Sequence, residues 1–547
     1  RADNVDKIYA RSEAGSLDNA DREFKIFWAN MGILKPAIYS RPPKPESAPR
    51  FKDRKPLPRR AAEILERALV SDIEADKLHD TLIEARDDLA MNSRGVVWLR
   101  MGERDGYEVP VAEQLDRKDF RHSPCRKWAE NTWVARRAWI TRKQFKSRFE
   151  TVPPNVKFGT SDTPAEETQK GKTAVWEIGH KDENGVVWVA EGAEDILDVK
   201  EPWLKLTGFF PCPRPAYSTL VRGTLIPVPD LVFYRDQVDE INAATRRIGA
   251  LTDSLRVRGF YPAGNGDAAA ALETAMASRD ERQVVVPVSA LAALGGGNIR
   301  DAVLWLPIET VAQVIRELID VRRQLIQDVY EITGLSDIMR GATDPNETLG
   351  SQQLKSQYGS VRVQERQAEM SRMARDVIRL KAEMLAENAD LRTLLEMGQV
   401  DDLQTMAEIE QDAQQRVMEA EMQGEEALAA LEAEMQAEAA EIVTYEQVEE
   451  LLTNQKTRPF ILEIEADSTI APDRAADQQS RIEFTTVMGS FIQQAAPLVM
   501  QAPQLGGMVA ETLQYLSSGF DTGRAMESAI DELAEQLRKA SKAPQQT

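Results

Sequence analysis

Apolar positions change their period along this chain, and each change marks an element. In DREFKIFWANMGIL, residues 21–34, the apolar positions Phe24, Phe27, Trp28, Met31 and Leu34 recur at spacings of three and four. That spacing predicts a helix with one apolar face. Lys35 and Pro36 are expected to end it, and Pro42, Pro43, Pro45 and Pro49 to form an extended connector. A second helix is expected over Arg59–Met91. Period-two, Trp-rich runs follow: VVWLRM from Val96, TWVARRAWIT from Thr132, VWEIGH from Val175 and VVWVAE from Val186. These read as antiparallel strands, the last two joined by a tight turn at Asn184-Gly185.

The middle of the chain returns to helical periods. Leu231, Val238, Thr245 and Thr252 recur every seven residues, as do Tyr234, Ile241, Ile248 and Leu255. One continuous packing stripe is implied. A second long helix, from about Glu309 to Thr333, is apolar at Val311, Val314, Leu318, Leu325 and Val329, and Gly334 is its expected stop. At about 1.5 Å per residue each helix would span roughly 35 Å. The insert between them carries Gly and Asn turns, an Ala-rich stretch and the runs QVVVPV and AVLWLP, so a hairpin capped by a small α/β lobe is expected. Gly341, Asp344-Pro345 and Gly350 then mark a loop, and a further helix follows from Ser351, with Gly359 a candidate kink. A strand, FILEIEADS from Phe460, precedes three apolar helices from about Asp477.

Charge sharpens this picture in one place. The 547-residue chain carries 89 acidic against 68 basic residues, a net charge of -21. Residues 401–441 hold thirteen Asp and Glu against the single base Arg416, which is -12 of that total. The bland reading of this block is a solvated acidic helical hairpin. So acidic a chain argues against a sequence-reading DNA binder, whose footprint would be basic, but not against a conduit to which DNA must not stick. No run of 18 apolar residues is present, so no membrane span is expected. The polar start lacks the apolar centre of a signal peptide and has no initiator Met, so a missing N-terminal piece and cytoplasmic synthesis are expected. Cys125 and Cys212, too few for a disulfide framework, are expected to be free thiols.

Catalytic chemistry finds little support. Gly171-Lys172-Thr173 resembles the end of a phosphate-binding loop, but position 166 is Glu where that motif needs Gly, and no strand precedes it. His122 and Cys125 have a ligand-like spacing, yet completing a metal site would require convergence of distant His79, His180 or Cys212. No metal, no cofactor and no catalytic residue is expected.

Three stretches carry a resemblance: CPRPAYSTLVRGTLIPVPD, GTLIPVPDLVFYRDQVDEINAATRRIGAL, and DVYEITGLSDIMRGATDPNETLGSQQLKSQYGSVRVQERQAEM. Together with the start ADREFKIFWANMGILKPAIYSRPP, they are similar to the portal (head–tail connector) proteins of tailed bacteriophages. The resemblance covers most of the chain in order, apart from 401–441. It implies an α+β, predominantly helical fold in named parts. A wing spans 1–228 and continues over 351–476, with 401–441 as an acidic insertion. Stem helices span 229–255 and 308–333 and bracket a clip at 256–307; a tunnel loop occupies 334–350 and a crown of helices 477–547.

The resemblance further implies a homo-oligomeric ring, usually of twelve subunits, at one vertex of the capsid, in a virion assembled after synthesis in the host bacterial cytoplasm. Its partners would be the major capsid protein, the large terminase subunit (the packaging ATPase) and head–tail adaptor or tail proteins. Double-stranded DNA would pass through the channel non-specifically, and no membrane is involved. Candidate DNA-channel residues of the tunnel loop are Arg340, Asp344, Asn346 and Lys355. Arg246, Arg247, Glu240, Glu317, Arg322 and Arg323 are candidates to face the channel or to pair between subunits, with Asp239 and Asp320 as further acidic partners. A ring contact is heterologous, so each stem needs apolar surface on two flanks, for which Tyr234, Ile241, Ile248, Val314 and Leu318 are candidates. A competing expectation is an acidic helical scaffold or adaptor that binds basic partners through 401–441; a packaging ATPase is a third, weakened by the missing phosphate loop.

Overall fold

In a computed structural model the chain is described over residues 2–14, 22–49, 56–254 (without 105, 160–169, 203 and 205), 259–260, 304–305, 308–335, 361–423, 442–454, 462–466, 474–501 and 506–517, plus 435, 530, 533 and 534. Among these residues the fold is α+β and predominantly helical, with small antiparallel sheets. It divides into two compact units. The first holds 31–229 and 360–547, and the second 3–30 and 230–359.

From the N-terminus, helices α1 (Ala2–Ala14) and α2 (Ile26–Ile38) precede strand β1 (Pro45–Pro49), then α3 (Pro56–Ala75) and α4 (Leu78–Asn92). Strands β2 (Arg94–Gly95), β3 (Val97–Arg104), β4 (Tyr107–Gln114), β5 (Phe120–His122) and β6 (Trp133–Thr141) follow. Helix α5 (Arg142–Phe149) leads to β7 (Lys172–His180), β8 (Gly185–Ala190), β9 (Asp198–Lys200) and β10 (Ala216–Tyr217). The second unit adds α6 (Leu231–Ser254), the short pair β11 (Gly259–Phe260) and β12 (Leu304–Trp305), and α7 (Ile308–Thr333). The chain continues with α8 (Val361–Asn388), α9 (Leu391–Gly398), α10 (Met406–Gln423), α11 (Tyr445–Thr453), β13 (Leu462–Ala466), α12 (Arg474–Gln501) and α13 (Gly506–Ser517).

Among the described residues the first unit holds four apolar clusters, one of them, with Met488, Ala510 and Leu513, in its C-terminal helices. Ile64, Leu65, Ala68 and Leu69 of α3 pack on Ala382, Leu385 and Ala386 of α8, Leu394 and Leu395 of α9, and Val448 and Leu452 of α11. Trp98, Phe120, Val134 and Phe210 form a second cluster, and Phe145, Val175 and Trp188 a third. The second and third fill one face of a five-stranded antiparallel sheet ordered β5-β6-β7-β8-β9. Period two aims Val134 and Ala138 of β6, with Val175 of β7, at that face, while Arg137, Trp139 and Trp176 alternate to the other. The Trp-rich runs thus fold as their alternation predicts.

Four sequence expectations need correction here. The single helix expected over 59–91 is two helices, because Lys77 adopts a left-handed φ of 52° between α3 and α4. Pro36 does not end its helix but lies inside α2, two residues before its end at Ile38, where little hydrogen-bonded helix remains to disrupt. The β7–β8 connection is not a two-residue Asn184-Gly185 turn. His180 pairs with Gly185, so Lys181–Asn184 form a four-residue loop in which Asn184 supplies the left-handed φ of 46°. The proline-rich connector is extended as expected, yet it is also a strand. Pro45–Pro49 pair antiparallel with Leu462–Ala466, joining segments far apart in sequence.

In the second unit α6 and α7 pack along one another, and β11 pairs antiparallel with β12 where the helices lead toward the insert. The result is the expected helical hairpin. Gly334 ends α7 with φ 71°, its N–H donating to the Tyr330 carbonyl, as its position predicts. Helix α6 is not one uninterrupted stripe: Tyr234, at φ -130° and ψ 19°, sets its first turn apart from the remainder. Residues 256–307, expected as the clip, lie outside the described residues apart from β11 and β12, as do 336–350 of the expected tunnel loop, Gly359 and most of 518–547, where a third C-terminal helix is expected.

Candidate functional site

The hairpin holds most of the candidate residues that are described, and its burial is uneven. Leu231, Tyr234, Val238, Ile241 and Ala244 of α6 are buried, as is Val329 of α7. Ile248 and Leu318 are half-buried, whereas Val314 and Val321 are exposed. The apolar seam is therefore closed near Leu231 and Val329 and thins toward Ser254 and Ile308. Tyr234 and Ile241 are already covered within their own chain, so they cannot offer the flank surface expected of them. Of the expected residues Val314 leaves apolar surface open, and Val321 and Phe233, not among them, do so as well.

Residues 22–30 line this hairpin, although their sequence places them with the first mixed portion. The Phe24 N–H donates to Asn242 Oδ1 at 2.9 Å, and Arg22 pairs with Asp253 at 3.4 Å. Gly249 leaves room for this strap, since a Cβ there would come within 2.6 Å of the Arg22 guanidinium. On the α7 side the Arg322 guanidinium lies 5.7 Å from the centre of the Phe24 ring. Neither heptad repeat nor charge pattern announces this contact. The apolar face of residues 24–34 signals only that some partner exists.

The charges of the hairpin divide in two. Arg235 pairs with Asp239 at 3.7 Å and Arg323 with Asp320 at 3.4 Å, both within one helix and both largely exposed. Glu317 accepts from Gln313 Nε2 at 3.2 Å. Arg246 and Arg247 are exposed, and among the described residues no carboxylate lies within ion-pair distance of either; Glu240 is likewise exposed. Arg340, Asp344, Asn346 and Lys355 lie outside the described residues.

The remaining candidates fall apart as sites. His122 sits against the rings of Phe120 and Trp128, and its Nδ1 is 2.8 Å from the Ser123 carbonyl. Burial holds its pKa below the ordinary 6.5. Among the described residues no cluster of His, Cys, Asp and Glu has the geometry to hold a metal. Gly171 is a turn residue at φ 71°, and Lys172-Thr173 open β7 rather than a phosphate cradle. Cys125 and Cys212 are free thiols, and burial pushes the Cys212 thiol well above its ordinary range. In α10 every described residue is exposed or half-buried, as expected of a solvated acidic helix; the second half of the expected hairpin, 424–441, lies outside the described residues apart from Met435. No described helix is long and apolar enough to cross a membrane.

One charged cluster escaped the sequence reading. Lys381 of α8, fully buried, holds Asp72 at 2.9 Å, Asp76 at 2.6 Å and the Pro110 carbonyl at 2.6 Å. Arg104 of β3 meets the same two carboxylates at 3.2 and 3.1 Å. Two cations thus balance two anions and tie α3, α8 and β3 together. Burial raises the Asp72 pKa while Lys381 and Arg104 oppose that rise. The signal was present: Lys381 continues the apolar spacing Ala374, Val377, Ile378, Leu385, and Asp72 that of Leu65, Ala68, Leu69.

The sequence matches no protein-family model and no curated protein.

Proposed function

We propose that the chain is the portal subunit of a tailed bacteriophage, forming a ring at one capsid vertex through which DNA is packaged and ejected. The helical hairpin carries the reading: two long helices joined through an insert, sealed on one seam and otherwise charged, with exposed apolar side chains left on its flanks. The wing, stem, clip, tunnel loop and crown follow the boundaries that the resemblance implies. In the ring, Phe233, Val314 and Val321 are covered by neighbouring copies, and Arg246 and Arg247 meet either a neighbour's carboxylate or, transiently, the DNA backbone. The subunit performs no catalysis, and translocation energy comes from the packaging ATPase. It docks that ATPase, the adaptors and the capsid shell.

Negative-stain images of the purified chain test this reading. Closed rings with a central hole support it, and the paired change Val314→Asp with Val321→Asp should disperse them while leaving the helical content unchanged. Rings that survive that change would argue against this stem contact. Deleting 406–441 separates the adaptor reading: rings persist in a portal, whereas an adaptor loses its basic partner. Rings that remain intact while Arg340→Ala abolishes packaging would contradict passive passage.

A further inference from the structure

In the first unit a cavity of about 300 Å³ opens between β3 and the packed face of the five-stranded sheet. It is at the small end of the range for ligand sites, large enough for one aromatic side chain. Its walls include Trp98 and Trp188, both buried, and Phe149 of α5. Its polar lining is unequal. Arg136 is paired as a charge, donating to Glu177 at 3.0 Å and to Glu113 at 3.3 Å, with its guanidinium 5.4 Å from the Trp98 ring centre, and Arg100, also in the lining, is paired with Glu113. Glu177 is thereby neutralised. Arg148, also in the lining, lies 4.8 Å from the Trp188 ring centre and 5.6 Å from that of Phe149. Among the described residues no carboxylate is within ion-pair distance of it.

The geometry points to a binding site for an apolar carboxylate, a flat hydrophobic body seated between the tryptophans with its anionic group on the Arg148 guanidinium. The aromatic walls hold Arg148 in place, so little side-chain freedom is lost when its planar fork takes up two oxygens. A cationic ligand would meet Arg148 with no free anion to offset it. A phosphate, with its higher charge, would find a single guanidinium not already paired with a carboxylate, since Arg100 and Arg136 are held by Glu113 and Glu177. Two sources present this chemistry: a small aromatic acid, or the C-terminal residue of a partner protein.

Calorimetric titration of the full chain compares hydrocinnamate with hydrocinnamamide, and N-acetyl-leucyl-phenylalanine with its amide. The acids should bind about tenfold tighter than their amides, the scale of one charge-assisted contact. Arg148→Gln, on the exposed side of the site, should abolish that preference. Ala138→Leu, which fills the cavity, should remove binding of acid and amide alike; circular dichroism checks that both variants fold. Tighter binding of the peptide acid identifies a chain terminus as the ligand, and tighter binding of hydrocinnamate a small acid. Equal affinity for acid and amide, a preference that survives Arg148→Gln, stronger binding of phenyl phosphate, or no binding at all would each overturn the site.

Discussion

Lys381 and Asp72 meet at 2.9 Å with neither side chain exposed, whereas Arg323 and Asp320 meet at 3.4 Å with 75% and 72% of theirs in solvent. The pairs are chemically alike and their surroundings are not. In the first unit the charges lie under three packed elements, where each ion was stripped of water and must be answered by its partner. On the hairpin the same chemistry costs and contributes little, which leaves those charges free to change partner. A buried pair fixes how elements dock. An exposed one leaves a surface open to another molecule, which is what a channel or ring contact requires.

The largest expected effect breaks the buried side of this comparison. Lys381→Met leaves Asp72 and Asp76 with Arg104 alone, and should cost about 3–5 kcal/mol in the first unit. Hydrogen exchange at α3 and α8 amides reads this directly, and a loss below about 1 kcal/mol would show that the cluster relaxes into water. Adding Asp72→Asn should recover part of the loss, because one uncompensated anion is then gone. On the hairpin, Ile241→Ala should cost about 2–5 kcal/mol through its cavity, with faster exchange confined to the second unit. Arg323→Gln should shift stability by no more than about 0.5 kcal/mol, and a larger loss would place that pair in the buried class.

The smallest effect is one of pH. His122 titrates below its ordinary 6.5 because burial disfavours its charged form. Its contribution is therefore complete above 6.5 and is lost as pH falls through the lower, folded value. His122→Gln should remove this part of the acid sensitivity of the first unit, measured as the difference between melting curves at neutral and mildly acidic pH. An identical pH dependence in the variant would assign the sensitivity to other groups.

What the sequence discloses depends on how local the determining contacts are. Strands β3, β6, β7 and β8 follow from their alternation, whereas β4 and β5 between them do not, and α6, α7 and the Gly334 stop follow from heptads and one glycine. Contacts between distant segments leave no periodic trace, so the pairing of Pro45–Pro49 with Leu462–Ala466 and the strap of Arg22 and Phe24 on the hairpin were not legible. Lys77 hid a helix break because nothing but its left-handed backbone distinguishes it from the helical residues around it. Of the candidate site, the exposed arginines could be named from charge alone. Which apolar residues were already covered could not, since Tyr234 and Ile248 share one heptad yet only the first is buried.

Native mass measures the central claim most directly. Twelve copies of the 61.2 kDa chain amount to roughly 730 kDa in a closed cyclic ring. Mass photometry of the purified chain should find one dominant species near that mass. A chain that stays monomeric at every concentration and salt would contradict the portal account.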